Sequence, residues 1–192
     1  MPPAILSRTE VIARLTVVLR RQGFAGASLA ELSKATGLGK SSLYHHFPDG
    51  KDDMTRAVLA QLAEQLEEAL FAPLLAPGPA RRRLETMTGA LDRFYRGGRE
   101  ACLLANLVVG ETRERFREEL AAIFEEWIAA IAAVLGDAGF PRILARTRAE
   151  DAVVRIEGAL VLAAGTGRAA VFERTLRQLP ADLLAPAKAG RD

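Results

Sequence analysis

Apolar residues recur at three- and four-residue steps through almost the whole chain, and the alternating β-branched runs that mark half-buried strands are nearly absent. That periodicity restricts the chain to an all-α fold. Of its 192 residues 49% are hydrophobic, enough to fill a substantial core. The formal charge of +2 is a small difference between 26 basic and 24 acidic side chains, so bulk charge points to neither a nucleic acid nor a membrane. Distribution must decide.

Cys102 is the single cysteine, which excludes an intrachain disulfide, and no Cys and His set stands at zinc-ligand spacing. Neither a metal nor a cofactor is expected. Met1-Pro2-Pro3-Ala4-Ile5-Leu6 is too short and uncharged for a signal peptide, and charges or helix breakers interrupt each apolar run before a membrane span is reached. The expectation is a cytoplasmic protein without membrane association.

Two capping boxes punctuate the N-terminal region: Ser7 with Glu10, then Ser28 with Glu31. The first opens a helix whose face is marked by Ile12, Leu15 and Leu19 and which Gly23 can end. The second opens a short helix, because Gly37 follows nine residues after the cap and can take the left-handed conformation that turns the chain sharply. A third short helix runs through Lys40-Ser41-Ser42-Leu43-Tyr44-His45-His46-Phe47 until Pro48-Asp49-Gly50. A fourth starts at Lys51 and carries Met54, Val58, Leu62 and Leu66.

Beyond a Pro-rich stretch from Pro73 to Pro79, the best candidate for a linker, the helices lengthen. Leu84, Met87, Leu91 and Phe94 form one stripe; Phe116, Leu120, Ile123, Trp127, Ile131 and Val134 form another. Two more helices are expected, roughly 148–164 and 168–179, and the tail after Pro186 is expected to fray. The arginine run Arg81-Arg82-Arg83 reads as a solvated first helical turn able to reach nearby acids or DNA backbone.

Two short helices around a tight turn are the geometry that places a second helix in the DNA major groove while the first braces it. Ser33 is small where the helices would approach, Gly37 permits the turn, and Leu38, Leu43 and Phe47 anchor the second helix. No acidic residue occurs between Lys34 and Pro48, so the stretch suits a polyanion. Lys40, Ser41 and Ser42, in the leading turn, are assigned chiefly to bases; Tyr44, His45 and Lys51 chiefly to phosphates. Ser28, Thr36 and His46 complete the candidate DNA contacts. The adjacent His45 and His46 diverge on a helix and lack a carboxylate or Cys partner at helical spacing, which argues against metal or acid–base chemistry. Cys102, between Ala101 and Leu103, reads as a small buried hydrophobe rather than a redox sensor.

The segment Leu29-Ala30-Glu31-Leu32-Ser33-Lys34-Ala35-Thr36-Gly37-Leu38-Gly39-Lys40-Ser41-Ser42-Leu43-Tyr44-His45-His46-Phe47 resembles the helix-turn-helix of the TetR family of repressors, with Gly23-Phe24 before it and Lys51 after it at the family's offsets. Ser33 departs from the family's usual alanine, and Pro48-Asp49-Gly50 makes a slightly long turn. Cys102-Leu103-Leu104-Ala105-Asn106-Leu107 and the final helix pair resemble the LmrA/YxaF subgroup. The resemblance implies a helix-turn-helix domain over 1–52 and a helical ligand-binding and dimerisation domain over 53–192, joined by a connecting helix.

It implies a homodimer through the last two long helices, where Gly158, Ala159, Ala163, Ala164, Ala169 and Ala170 would allow close packing. Such a dimer would block transcription from a palindromic operator and release it on binding an unidentified small, apolar effector. Met87, Leu91, Phe94, Asn106, Phe124, Trp127 and Glu157 are candidates to line that effector's cavity, although a Met and aromatic stripe also suits ordinary core. No nucleophile–base pair, metal set or phosphate-binding glycine loop supports an enzyme. A TetR-like activator and a helical interaction protein without an inducer remain as alternatives.

Overall fold

A computed structural model describes residues 6–109 and 112–186, and every regular element in them is helical. The elements run α1 (Arg8–Gly26), α2 (Leu29–Thr36), α3 (Lys40–His46), α4 (Lys51–Leu66), a π-turn (Glu67–Phe71), α5 (Ala72–Leu75), α6 (Ala80–Phe94), α7 (Leu103–Leu107), α8 (Thr112–Arg115), α9 (Arg117–Asp137), α10 (Arg142–Thr166) and α11 (Ala170–Leu184). The first residues of the chain and the tail after Pro186, expected to fray, lie outside the described residues apart from Leu6.

The chain forms two compact units that are not colinear with the sequence: Met1–Gln65 with Cys102–Ala122, and Leu66–Ala101 with Ile123–Asp192. In the first, α1 buries Val11, Ile12, Leu15, Val18 and Leu19. Both capping boxes form: Ser7 Oγ accepts the Glu10 amide while Glu10 accepts the Ser7 amide, and Ser28 and Glu31 repeat the arrangement at α2. Each box satisfies two amides that a helix start otherwise leaves without partners. Gly23, at φ 66°, kinks α1 three residues before its end.

The expected break at Pro73 lies further on, at Ala76. Proline removes an amide and its ring clashes with the carbonyl of the preceding turn. Here the widened π-turn, in which the Ala72 amide bonds the Glu67 carbonyl, precedes Pro73 and lets the helix pass it. The chain becomes extended only at Ala76, at ψ 150°.

In the second unit, α6 lays Leu84, Met87, Ala90 and Leu91 inward, and α10 and α11 pack along their lengths with Ile156, Leu160, Phe172, Leu176 and Leu179 buried. Both terminal helices are longer than their sequence pattern suggested. Helix α10 starts directly after Pro141, and α11 continues through Pro180 to Leu184.

The arginine run separates into different roles. Arg81 pairs with Glu85 on the surface, whereas Arg83 is buried, donating Nε to the Leu74 carbonyl and Nη1 to Asp137 Oδ2 at 2.6 Å. A cation in a first helical turn opposes the helix dipole; for Arg83 the Asp137 carboxylate offsets this. Asp137→Ala leaves the buried guanidinium on one neutral carbonyl. Because Asp137 itself is mostly exposed, water screens part of the loss, and a cost of about 2 kcal/mol is expected in urea denaturation.

Candidate nucleic-acid interface

The recognition element is built by the turn between α2 and α3. Gly37 sits at φ 72° as the left-handed end of α2, its amide bonding the Ser33 carbonyl at 2.9 Å. Ser33 Oγ donates to the Leu38 carbonyl at 2.6 Å, so this serine does more than stay small: it ties the far side of the turn to the helix before it. Thr36 completes the turn, donating its hydroxyl to the Leu32 carbonyl at 2.8 Å and accepting the Leu38 amide. Leu32, Leu43 and Phe47 are buried and seat both helices on the unit.

Leu43 and Phe47 are four residues apart and point inward, which turns the rest of α3 to solvent. Lys40, Ser41, Ser42, Tyr44 and His45 are exposed, and His46 is half-buried. Tyr44 lies against Gly50, where an added Cβ would stand 3.3 Å from the tyrosine Cε1. This contact sets the ring's direction while leaving the side chain 45% exposed. The five exposed side chains form a hydroxyl- and nitrogen-bearing surface with the Lys40 cation and without a carboxylate, suited to phosphates and base edges.

Three expected contacts are placed differently. Thr36 is fully buried with its hydroxyl satisfied inside the turn, so it supplies geometry and no free donor. Ser28 is exposed but engaged in the α2 capping box, donating to Glu31 Oε2 at 3.1 Å. The Ser28 backbone amide, then the Gln22 and Ser28 side chains, hold the Glu31 carboxyl below the usual carboxylate range. Lys51 is turned inward: Nζ donates to the Phe24 carbonyl at 2.8 Å and stands 4.1 Å from the centre of the Phe24 ring. Burial pushes its ammonium below the ordinary lysine value, opposed by Asp52.

The acids around Lys51 are engaged elsewhere. Asp52 is bridged by Arg115 at 2.9 Å, and Asp53 accepts the Asp49 amide. Residues outside the motif also reach the element: Arg8 Nη1 donates to the His46 carbonyl at 3.1 Å, and Arg14 Nη1 to the Thr36 carbonyl at 3.2 Å. Nothing in local spacing marks these two, since their acceptors lie 38 and 22 residues away.

Of the proposed effector contacts, Met87, Leu91 and Trp127 are fully buried in the second unit, and Phe94, Phe124 and Glu157 are half-buried there. Asn106 does not join them. It belongs to the first unit, where α7 packs on α1 and its Nδ2 donates to the Arg20 carbonyl at 2.7 Å. Trp127 Nε1 is buried without a hydrogen-bond acceptor among the described residues. None of the seven lines the groove of about 650 Å³ between α9 and α10, which is floored by Ala129, Ala132, Ala133 and Gly136. Cys102 is buried, as expected of a small apolar residue. Among the described residues no group of His, Cys, Asp and Glu could hold a metal ion, and no helix is long and apolar enough to cross a membrane.

A tight-turn helix pair with an exposed polar second helix, in a chain of helices, is a helix-turn-helix arrangement. Comparison with known proteins specifies the kind. Residues 12–58 match the family of bacterial regulatory proteins named for tetR, and residues 81–178 match the C-terminal domain of LmrA/YxaF-like transcriptional regulators. The HTH-type transcriptional repressor DhaR of a Mycobacterium species is 27% identical over 63% of this chain, a stretch spanning 61% of that relative's length. The HTH-type transcriptional regulator LmrA of Bacillus subtilis is 23% identical over 81% of this chain and 85% of its own. A TetR transcriptional regulator from Legionella pneumophila superposes with a TM-score of 0.81 at 18% identity, covering 93% of this chain and 98% of that one. The chain belongs to the TetR family of transcriptional regulators, in its LmrA/YxaF-like branch. Regulators of this family bind DNA and are dimeric.

Proposed function

We propose that the chain is a ligand-responsive repressor: a homodimer that sets two copies of α3 into successive major grooves of a palindromic operator and leaves it when a small, largely apolar effector binds. The observation that carries the DNA half is the face of α3, five exposed donors held by two buried anchors. Lys40, Ser41 and Ser42 lead into the groove and take base edges, while Tyr44 and His45 take phosphates. Lys51 is not among the phosphate contacts.

The dimer reading draws support from α10. Ile143, Val154, Val161 and Leu162 are between 55% and 83% exposed. Val154, Gly158, Val161 and Gly165 follow at alternating four- and three-residue steps, the spacing of one helix face. An apolar ridge of this kind on a regulator marks an interaction surface. Ala159 and Ala163, expected at that interface, are instead buried within the chain's own core.

The effector reading draws support from the family match to 81–178 and from the buried Trp127 Nε1, a donor that a carbonyl-bearing ligand could satisfy. An effector that favours a conformation unable to bind the operator lowers operator affinity by linkage, and the operator weakens the effector by the same factor.

Selection from a randomised duplex library tests the reading. It should return an inverted repeat with half-site centres about 34 Å apart. Lys40→Ala should then cost about 1–3 kcal/mol on the selected site and relax preference at one base pair per half-site, whereas Tyr44→Phe should weaken all duplexes alike. A library that returns no enriched sequence contradicts the proposal.

A further inference from the structure

We propose that Arg8, Arg14 and Lys51 are positioning residues for DNA reading: Arg8 and Arg14 close the carbonyl ends of α3 and α2, Lys51 holds the segment past the kink of α1, and together they fix the pose of α3. The inference rests on the reading of α3 as the recognition helix. The last carbonyls of a helix have no partner within it, and a cation there is favoured by the helix dipole. In this unit cations from another helix meet the ends of α2 and α3 and the segment that follows the Gly23 kink of α1. Arg14 of α1 donates to Thr36 at the end of α2, Arg8 of α1 to His46 at the end of α3, and Lys51 of α4 to Phe24 just past the kink.

The arrangement centres on α1. Helix α1 holds the ends of α2 and α3, and α4 holds the segment past the kink of α1. Arg8 also lies over the ring of Phe47, its Cζ 4.9 Å from the centroid, so one guanidinium touches both the last carbonyl of α3 and the buried anchor that seats it. Helix α3 has particular need of this. It spans seven residues, and its N-cap, Gly39, offers no side-chain hydrogen bond. Its orientation is therefore set by the ties of Ser33 and Thr36 to Leu38 before it, by Leu43 and Phe47, and by the contact at its far end. Lys51 is further fixed by Phe24, whose ring also meets the Arg115 guanidinium at 5.4 Å and the Phe116 ring edge-on at 5.5 Å.

A positioning cation and a phosphate-binding cation give different signatures on DNA. Removing a phosphate contact weakens all duplexes and lowers the salt slope by about one. Removing a positioning contact misaligns α3 against base edges, so it reduces affinity for the preferred duplex while leaving the slope and non-specific binding in place.

The experiment compares Arg8→Met, Arg14→Met and Lys51→Met with the conservative Arg8→Lys and Arg14→Lys, all in the full chain. Each is titrated from low to high salt against the library-selected duplex and against a scrambled duplex of equal length, below the melting temperature read by circular dichroism. The expected result is a ratio of specific to non-specific affinity about tenfold lower for each methionine variant, comparable to a mismatched base pair. The salt slope should be unchanged, and the lysine variants should recover most of the ratio. A slope lowered by about one, with both duplexes weakened equally, overturns the proposal in favour of phosphate contacts. A lowered melting temperature with an unchanged ratio overturns it in favour of a purely structural role. If a methionine variant does not fold, Arg8→Gln, Arg14→Gln or Lys51→Gln takes its place: a lowered ratio with an unchanged slope supports the proposal, and an unchanged ratio overturns it. A native protein that prefers no duplex fails the repressor reading itself, and this inference with it.

Discussion

Val161→Glu is expected to convert the protein from a dimer to a monomer and to abolish tight operator binding while leaving the fold of each chain intact. Val161 is 59% exposed in the single chain, so a carboxylate there costs the isolated chain little. In the proposed two-fold interface through α10 the exposed ridge that holds Val161 is covered by the partner copy, and a carboxylate there would be buried without a cation. Leaving a charge buried and unpaired costs about 3–5 kcal/mol, which raises the dimer dissociation constant by more than about a hundredfold. Sedimentation velocity at micromolar concentration measures the mass, and unfolding of the chain at equal concentration checks the fold. A Val161→Glu protein that remains a dimer removes α10 from the interface.

Gly98→Ala is expected to produce the largest loss of stability from a single added methyl group. Residues 96–98 all have positive φ, ending with Gly98 at 84°, where the chain leaves α6. A Cβ at Gly98 would stand 2.8 Å from the Cβ of Phe172 and 3.1 Å from its ring. Phe172 cannot yield, because it is fully buried on α11 with Tyr95 edge-on at 5.9 Å. Backbone strain and overpacking together come to about 3 kcal/mol. For a chain of this size that is a melting temperature lower by about 6–12 °C in calorimetry. Gly89→Ala provides the contrast. Gly89 is inside α6 with ordinary space for a Cβ, and the substitution is expected to leave stability unchanged or raise it by up to about 1 kcal/mol. Equal effects at the two positions would contradict the described turn.

The parts of this fold legible in the sequence are those decided within four residues. Ser7 with Glu10 and Ser28 with Glu31 announce helix starts because donor and acceptor both lie inside one turn. Gly37 announces a turn because the left-handed conformation is costly for other residues. The exposed face of α3 follows from Leu43 and Phe47 in the same way. What escaped the sequence was decided across the chain. Lys51, a candidate phosphate contact by its sequence, donates to the Phe24 carbonyl 27 residues away, a partner that local spacing does not show. Arg8 and Arg14 carry no local mark at all.

Thr36 shows a different limit. Its hydroxyl is polar in any tally of donors, yet it is used up by the Leu32 carbonyl and the Leu38 amide inside the turn. Asn106 reads as a polar group for the effector cavity, but the chain returns α7 to the first unit, where its Nδ2 is engaged by the Arg20 carbonyl. Pro73 failed as a helix breaker because a π-turn precedes it. The ridge on α10 was indistinct because periodicity gives the inward stripe and the outward ridge the same spacing.

The central claim, that α3 lies in the major groove of a duplex as one of a symmetric pair, is tested most directly by cleavage from the helix itself. Cys102 is buried, so the thiol of Gly39→Cys, at the N-cap of α3 where an added Cβ meets nothing within 4 Å, is the accessible one and can carry an iron–EDTA group. On the selected duplex, the derivative should cut in two clusters centred about one helical turn apart, each within a half-site, and the same group at Ala30→Cys on α2 should cut weakly or outside them. Cleavage spread evenly along the duplex, or none at all, would contradict the account.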